Sequence, residues 1–308
     1  MKELQGRKIL VSGCENYFGM LLSQRLVELG SSVILMCGGD SRHITEASLP
    51  GCTVMSTEDP DAAGMFCGGI EAILFLNHPL LMSNKIVGRH FPGLHLADLL
   101  KMLRLAGRIG ACFIYASSGT VYGRHRYIPM DEGHPVEPLL VYGAVKLAGE
   151  HFCRAMALES GFSFSILRYG DIYGPGIRRM GEPSIFLESA IKNKPLVIRG
   201  SGEQVRSYIY IEDAVDATIK VLNNKPLNQV INIAGNELIS IWDMANLIRQ
   251  NYGVKCQVKT TNKNLTDEVD CCLDTAKCCD MLGFIPKVDL MSGLFRSYSW
   301  LLNEITTE

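Results

Sequence analysis

Short unbroken apolar runs alternate along the first half of the chain with longer stretches in which apolar residues return every third or fourth position. The runs Lys8–Ser12, Val33–Met36, Ala72–Leu76 and Cys112–Ala116 have the length of strands buried on both faces. Gly19–Leu29 sets Leu21, Leu22, Leu26 and Leu29 at helical spacing, and Gly30 supplies a stop. Leu94–Ala106 reads as helical, and Pro138–Glu159 reads as a long helix ending at Gly161. Phe162–Leu167 alternates bulky residues with Ser, the pattern of a further strand. Strands alternating with helices predict an α/β fold, a doubly wound, mostly parallel sheet covered by helices on both faces.

The second half is less regular. Gly170–Gly181, rich in Gly and Arg, reads as a loop. Helical patterns recur at Pro183–Asn193, Asp213–Leu222, Ile241–Gln250 and Leu290–Leu302, with short strands at Leu196–Ile198, Val230–Ile233 and Val254–Val258. These predict a smaller C-terminal lobe. No fixed-period repeat, low-complexity segment or Pro/Gly/Ser-rich linker separates it from the first half.

Composition narrows the function classes. With 308 residues, 47% hydrophobic and 20% charged, the chain can bury a sizeable core. A net charge of −2 without a basic run argues against nucleic acid as a main partner. The charged start MKELQGRKILVSG predicts no signal peptide, and no apolar run approaches the ~18 residues of a spanning helix, so the expectation is a cytoplasmic protein without membrane association. Eleven cysteines, an odd number, predict reduced thiols. The pairs Cys271–Cys272 and Cys278–Cys279 lack zinc-ligand spacing and read as core packing. His78, His90, His95, His125 and His134 are scattered, and no metal site is expected.

Chemistry enters at three places. Gly13-Cys14-Glu15-Asn16-Tyr17-Phe18-Gly19 joins the first strand to the first helix. Gly13 permits a sharp turn off the strand, Gly19 permits close packing of the helix, and the helix N-terminus offers N–H groups to a pyrophosphate. Ser117-Ser118-Gly119-Thr120 follows a buried strand, at the sheet end where ligands bind; taken alone, it reads first as a Ser- and Gly-rich turn. Tyr142 and Lys146 lie four apart, on one helix face, and none of the other ten tyrosines has Lys at that spacing. A nearby ammonium lowers the pKa of a phenol, which is ~10 when unperturbed, and lets it act as acid and base.

Together, in order, the stretches ILVSG…FG, YASSGTVYG, YGAVK, ILRYGDIYGPG, RGSGEQVRSYIYIEDAV and VINIAG resemble the NAD-dependent epimerase/dehydratase family. These are extended short-chain dehydrogenases/reductases acting on nucleotide sugars, and the likeness runs from Lys8 to about Leu301. It implies a Rossmann-like, dinucleotide-binding domain over 1–170 and a mainly substrate-binding lobe over 171–308, with segments of about 207–235 returning to the first domain. It implies Tyr142 as acid/base, Lys146 as its partner on the nicotinamide ribose, and Ser118 as the hydroxyl sharing the substrate oxygen. Gly119, Thr120, Asp171 and Arg206 join Ser118 in the substrate set, Arg206 toward the diphosphate. Gly13, Asn16, Tyr17, Phe18, Gly19, Cys37, Arg42, Ser56, Leu76 and Tyr169 join Tyr142 and Lys146 in the cofactor set. Asp213 fits a family position or a helix N-cap.

Several positions depart from the family pattern. The middle glycine of the turn is Asn16, a residue able to take the left-handed conformation at some cost. The acid that ends the second strand is Cys37, with Asp40 and Arg42 following, which leaves NAD or NADP open. Ser56 replaces the aspartate after the third strand, Asp171 replaces an asparagine, and Asn264, beside Lys263, stands near the place of a second diphosphate-binding arginine. Gly119 and Thr120 occupy the positions where 4,6-dehydratases carry Asp-Glu and decarboxylases tend to carry Glu. The resemblance therefore points to a nucleotide-sugar epimerase, most like the C4 epimerases. A nucleotide-4-keto-sugar reductase and a catalytically silent dinucleotide-binding protein are the alternatives. It also implies a homodimer through Leu94–Ala106 and Pro138–Glu159, although the stripe Leu94, Leu99, Leu100, Leu103 equally fits packing on the sheet.

Overall fold

The computed structural model describes residues 4–37, 49–56, 68–77, 91–178, 180–224, 228–253, 255–261 and 270–307. Contacts divide the chain into two units: the first is Met1–Ser118, Ala144–Arg168 and Val215–Ile231, the second Gly119–Gly143, Tyr169–Ala214 and Asn232–Glu308.

The apolar runs become strands. β1 (Lys8–Ser12), β2 (Ser32–Cys37), β3 (Cys52–Ser56), β4 (Ile70–Phe75), β5 (Cys112–Ser118), β6 (Phe164–Tyr169) and β10 (Gln229–Ile233) form one sheet in the order β10-β6-β5-β4-β1-β2-β3. β1 pairs in parallel with β2 and β4, β2 with β3, and β4 with β5. Ile9, Leu10 and Val11 are fully buried, as a strand covered on both faces requires.

Helices α1 (Tyr17–Glu28), α2 (Phe91–Ile109) and α3 (Val141–Ser160) supply the helical period. The stripe on α2 divides. Leu99 and Leu103 are fully buried with Phe75, Phe113 and Tyr115, each contributing about 1.5–3 kcal/mol, whereas Leu94 is 56% exposed. α3 begins at Val141, three residues after the expected Pro138.

In the second unit, β7 (Asp171–Tyr173), β9 (Val205–Tyr210) and β11 (Leu238–Ser240) form a sheet in which β9 runs parallel to β7 and antiparallel to β11. β8 (Leu196–Arg199) and β12 (Val258–Thr261) form a parallel pair. α4 (Gly181–Ile191) packs on α6 (Ile241–Tyr252) and on α8 (Leu290–Thr307). α5 (Ile211–Asn223) and α7 (Ala276–Leu282) complete the described helices.

Three expectations are corrected. Gly170–Gly181 is not loop throughout, because Asp171–Tyr173 pairs with Tyr208–Tyr210. The strand expected over Val254–Val258 lies at Val258–Thr261, where it pairs with β8. Asp213 does not cap a helix: it sits in the first turn of α5, and its carboxylate accepts the N–H groups of Lys287 at 3.1 Å and Val288 at 2.9 Å. It is 2% exposed and joins α5 to the segment before α8.

Candidate active site

The turn between β1 and α1 is shaped by backbone contacts that exclude side chains. Gly13 has φ +95°, and a Cβ there would lie 2.6 Å from the amide nitrogen of Asn77. A Cβ on Gly19 would overlap the carbonyl oxygen of Gly13. Asn16 is not left-handed as expected; it is extended, at φ −95° and ψ 153°, and acts as the N-cap of α1. Its side-chain oxygen accepts the N–H of Gly19 at 2.7 Å, and its amide donates to the carbonyls of Gly13 at 2.6 Å and Leu76 at 3.2 Å. Tyr17 and Phe18 open the helix, whose first turn holds no acid, so its dipole is left to favour an anion.

The strand ends beside this turn carry further residues expected in the cofactor set. Cys37 ends β2 and is buried; Ser56 ends β3. Leu76 follows β4, and its N–H donates to Ser12 at 2.8 Å. Asn77 accepts the Ser12 hydroxyl at 3.0 Å. Asp40, Arg42, Lys263, Asn264, His78 and His90 lie outside the described residues.

Ser118 is the last residue of β5, and a short 3-10 turn over Gly119–Val121 continues from it. Lys146, in the first unit, is 1% exposed and donates to the carbonyls of Ala116 at 2.8 Å and Asn77 at 3.0 Å. Burial brings its pKa down to about 7, against a small opposing pull from Cys153. Tyr142 precedes it by one helical turn on α3 and is half-buried.

Sequence reasoning missed the polar group that ties β5 to α3. Glu150, fully buried on α3, accepts the Ser117 hydroxyl at 2.6 Å and the Arg168 guanidinium at 2.9 and 2.7 Å. Glu150 gave no pairing signal, because Arg168 lies on a different element, β6.

The second unit holds Gly119, Thr120, Tyr142, Tyr169, Asp171 and Arg206. Asp171 on β7 places a carboxylate oxygen 3.8 Å from Nε of Arg206 on β9. Glu182, also unforeseen, accepts the Tyr208 hydroxyl at 3.2 Å. Burial raises the pKa of Asp171, offset by Arg206 and reinforced by Glu182. For Arg206, burial opposes the charge, but Asp171, Cys271 and Glu182 outweigh it and raise its pKa.

The remaining cysteines and histidines have ordinary surroundings. Cys271, Cys272 and Cys278 are buried and Cys279 is exposed. His95 contacts the Tyr115 hydroxyl at 3.2 Å, His125 pairs with Asp270 at 2.8 Å, and His134 accepts the Arg126 N–H at 2.8 Å.

The family model for the NAD dependent epimerase/dehydratase family matches residues 89–234. A putative UDP-glucose 4-epimerase of Methanocaldococcus jannaschii is 27% identical, over 97% of this chain and 100% of its own. Residues 89–234 therefore form a domain of the NAD-dependent epimerase/dehydratase family. The Thermotoga maritima UDP-glucose 4-epimerase, solved with UDP-glucose, is 25% identical with a TM-score of 0.85, covering 98% of this chain and 100% of that one. Bacillus cereus UDP-glucuronic acid 4-epimerase, solved with UDP-glucuronic acid and NAD, shares the fold at 23% identity and a TM-score of 0.82, over 96% and 99% of the two chains.

NAD is the cofactor of this epimerase/dehydratase family, and the turn at Gly13–Gly19 fits it. The space that a Cβ at either glycine would fill lets backbone approach backbone there, in front of a helix N-terminus with no acid in its first turn. Among the described residues, no helix is long and apolar enough to cross a membrane.

Proposed function

We propose that this protein is a nucleotide-sugar 4-epimerase. The observation that carries the reading is Lys146: buried, held by two main-chain carbonyls, and one helical turn from Tyr142 on α3. Full-length similarity to UDP-glucose 4-epimerases supports the substrate class.

Bound NAD would supply a reversible acceptor for hydride from the sugar carbon. Gly13, Tyr17, Phe18 and Gly19 would hold its pyrophosphate, and Lys146 its nicotinamide ribose. Tyr142 removes the proton of the C4 hydroxyl and later returns it to the 4-keto oxygen. Its phenol is eased toward the phenolate by the protonated fraction of Lys146. Ser118 hydrogen-bonds the same oxygen. Arg206 meets the diphosphate, and Gly119, Thr120 and Asp171 complete the substrate set. Gly119 and Thr120 offer no titratable group, so the elimination step of a dehydratase has no local acid or base at these positions.

The reading extends to a cytoplasmic homodimer. Leu94 on α2 and Phe152 and Leu158 on α3 are exposed at 56%, 38% and 89%, which suits a second copy. Size-exclusion chromatography with light scattering gives a dimer mass if this holds and a monomer mass if it does not.

The test is incubation of the purified protein with UDP-glucose and no added cofactor, followed by proton NMR. Appearance of the C4 epimer, lost in Tyr142→Phe with the fold retained, supports the reading. No conversion of UDP-glucose, UDP-N-acetylglucosamine or UDP-glucuronic acid contradicts it.

A further inference from the structure

Cys14 and Cys37 lie at the carboxyl ends of neighbouring strands. β1 and β2 pair with Ser12 opposite Met36, so the chain leaving β1 through Gly13 carries Cys14 to the last residue of β2. Both side chains are buried, at 0% and 7% exposure, and their Sγ atoms are 2.7 Å apart. A disulfide bond measures ~2.05 Å, so roughly 0.7 Å of approach separates these thiols from one.

The backbone on both sides is fixed. Gly13 and the three hydrogen bonds of Asn16 bracket Cys14, and pairing with Ser56 of β3 holds Cys37. Glu15 brings a third donor, all ligand atoms lying within 4.8 Å of one another, which raises the question of a cation. Tetrahedral zinc with Zn–S bonds of ~2.3 Å spaces two thiolates about 3.8 Å apart. The observed 2.7 Å is much shorter and favours a bond between the sulfurs.

We propose that Cys14 and Cys37 are a redox modification site, a reversible disulfide between the glycine turn and the end of β2. The oxidant is a hydroperoxide. Cys37, the more exposed of the two residues, attacks one peroxide oxygen through its sulfur; the O–O bond breaks, the thiol proton goes to the departing oxygen, and Cys37 becomes a sulfenic acid. The Cys14 sulfur then attacks that of Cys37, the S–O bond breaks, and the Cys14 proton leaves with the hydroxyl as water. The two thiols lose two electrons and the peroxide gains two. Exchange with a small thiol reverses the bond. The hydrogen bond to Cys37, burial and Glu15 all keep Cys14 protonated, which suits it to the second step.

The test uses the full-length protein, reduced and then exposed to about one equivalent of hydrogen peroxide, quenched with N-ethylmaleimide under denaturing conditions and digested for mass spectrometry. The expected result is a cross-linked peptide pair holding Cys14 and Cys37, a loss of about 2 Da from the intact chain, and reversal by dithiothreitol. Closing a loop of roughly 24 residues is expected to raise Tm by about 5 °C over the reduced protein, and Cys37→Ser, checked by circular dichroism, loses both effects. Alkylation of both cysteines after peroxide, over-oxidation of either sulfur, or protection that yields only to a chelator and coincides with stoichiometric zinc would each overturn the proposal.

Discussion

The side-chain oxygen of Asn16 accepts the backbone N–H of Gly19 at 2.7 Å, so Asn16 closes the turn between β1 and α1 by capping the helix. The same amide donates to Gly13 and Leu76 and is 4% exposed. Asn16→Ala removes the cap and strips two buried carbonyls of a donor, so it is expected to destabilise the fold by about 2 kcal/mol. Urea denaturation measures this; a change within experimental error would mean that the amide does not hold the turn.

Glu150 is fully buried against Ser117 and Arg168. Glu150→Ala leaves a buried guanidinium uncompensated and is expected to cost about 3–5 kcal/mol. Glu150→Gln, which keeps an acceptor for both partners, is expected to cost less. Equal losses in the two variants by chemical denaturation would contradict a charge role.

The sequence made most of the first sheet legible, because its strands are unbroken apolar runs bounded by turn residues. β3 (Cys-Thr-Val-Met-Ser) and β7 (Asp-Ile-Tyr) escaped because they are short and partly polar, and pairing with longer neighbours overrides weak local preference. The glycine turn, Ser118, Tyr142 and Lys146 were readable as spaced motifs. The conformation of Asn16 was not, since it depends on the Leu76 carbonyl, sixty residues away. Nor was the contact of Cys14 with Cys37, which is a product of strand register.

Lys146 titrates at about 7 in the folded chain, down from 10.5, because burial disfavours its charge. Between those values the unfolded chain binds this proton and the folded one does not, so the group's contribution to stability rises with pH across the window and is lost as pH falls toward 7. Lys146→Met removes the dependence. Relative to wild type, it is expected to gain roughly 1–3 kcal/mol as the pH drops from about 10 to about 7. Denaturation curves of both proteins across that range provide the check, and a flat difference would refute it.

On the proposed reading, in which Arg206 meets the diphosphate, Asp171 would compete for it, its carboxylate oxygen being 3.8 Å from Nε. Asp171→Asn leaves the guanidinium less neutralised, and the Kd for UDP is expected to fall about fivefold, near 1 kcal/mol. Isothermal titration calorimetry with UDP reads the shift, and unchanged or weaker binding would contradict the competition.

The central claim is a self-contained cycle in which the cofactor is regenerated at each turnover and has no need to leave. Mass spectrometry of the nucleotide released when the purified protein is denatured tests it most directly. The account predicts NAD at close to one per chain. A protein that releases no nucleotide, and then binds neither NAD nor NADP by calorimetry, would contradict it.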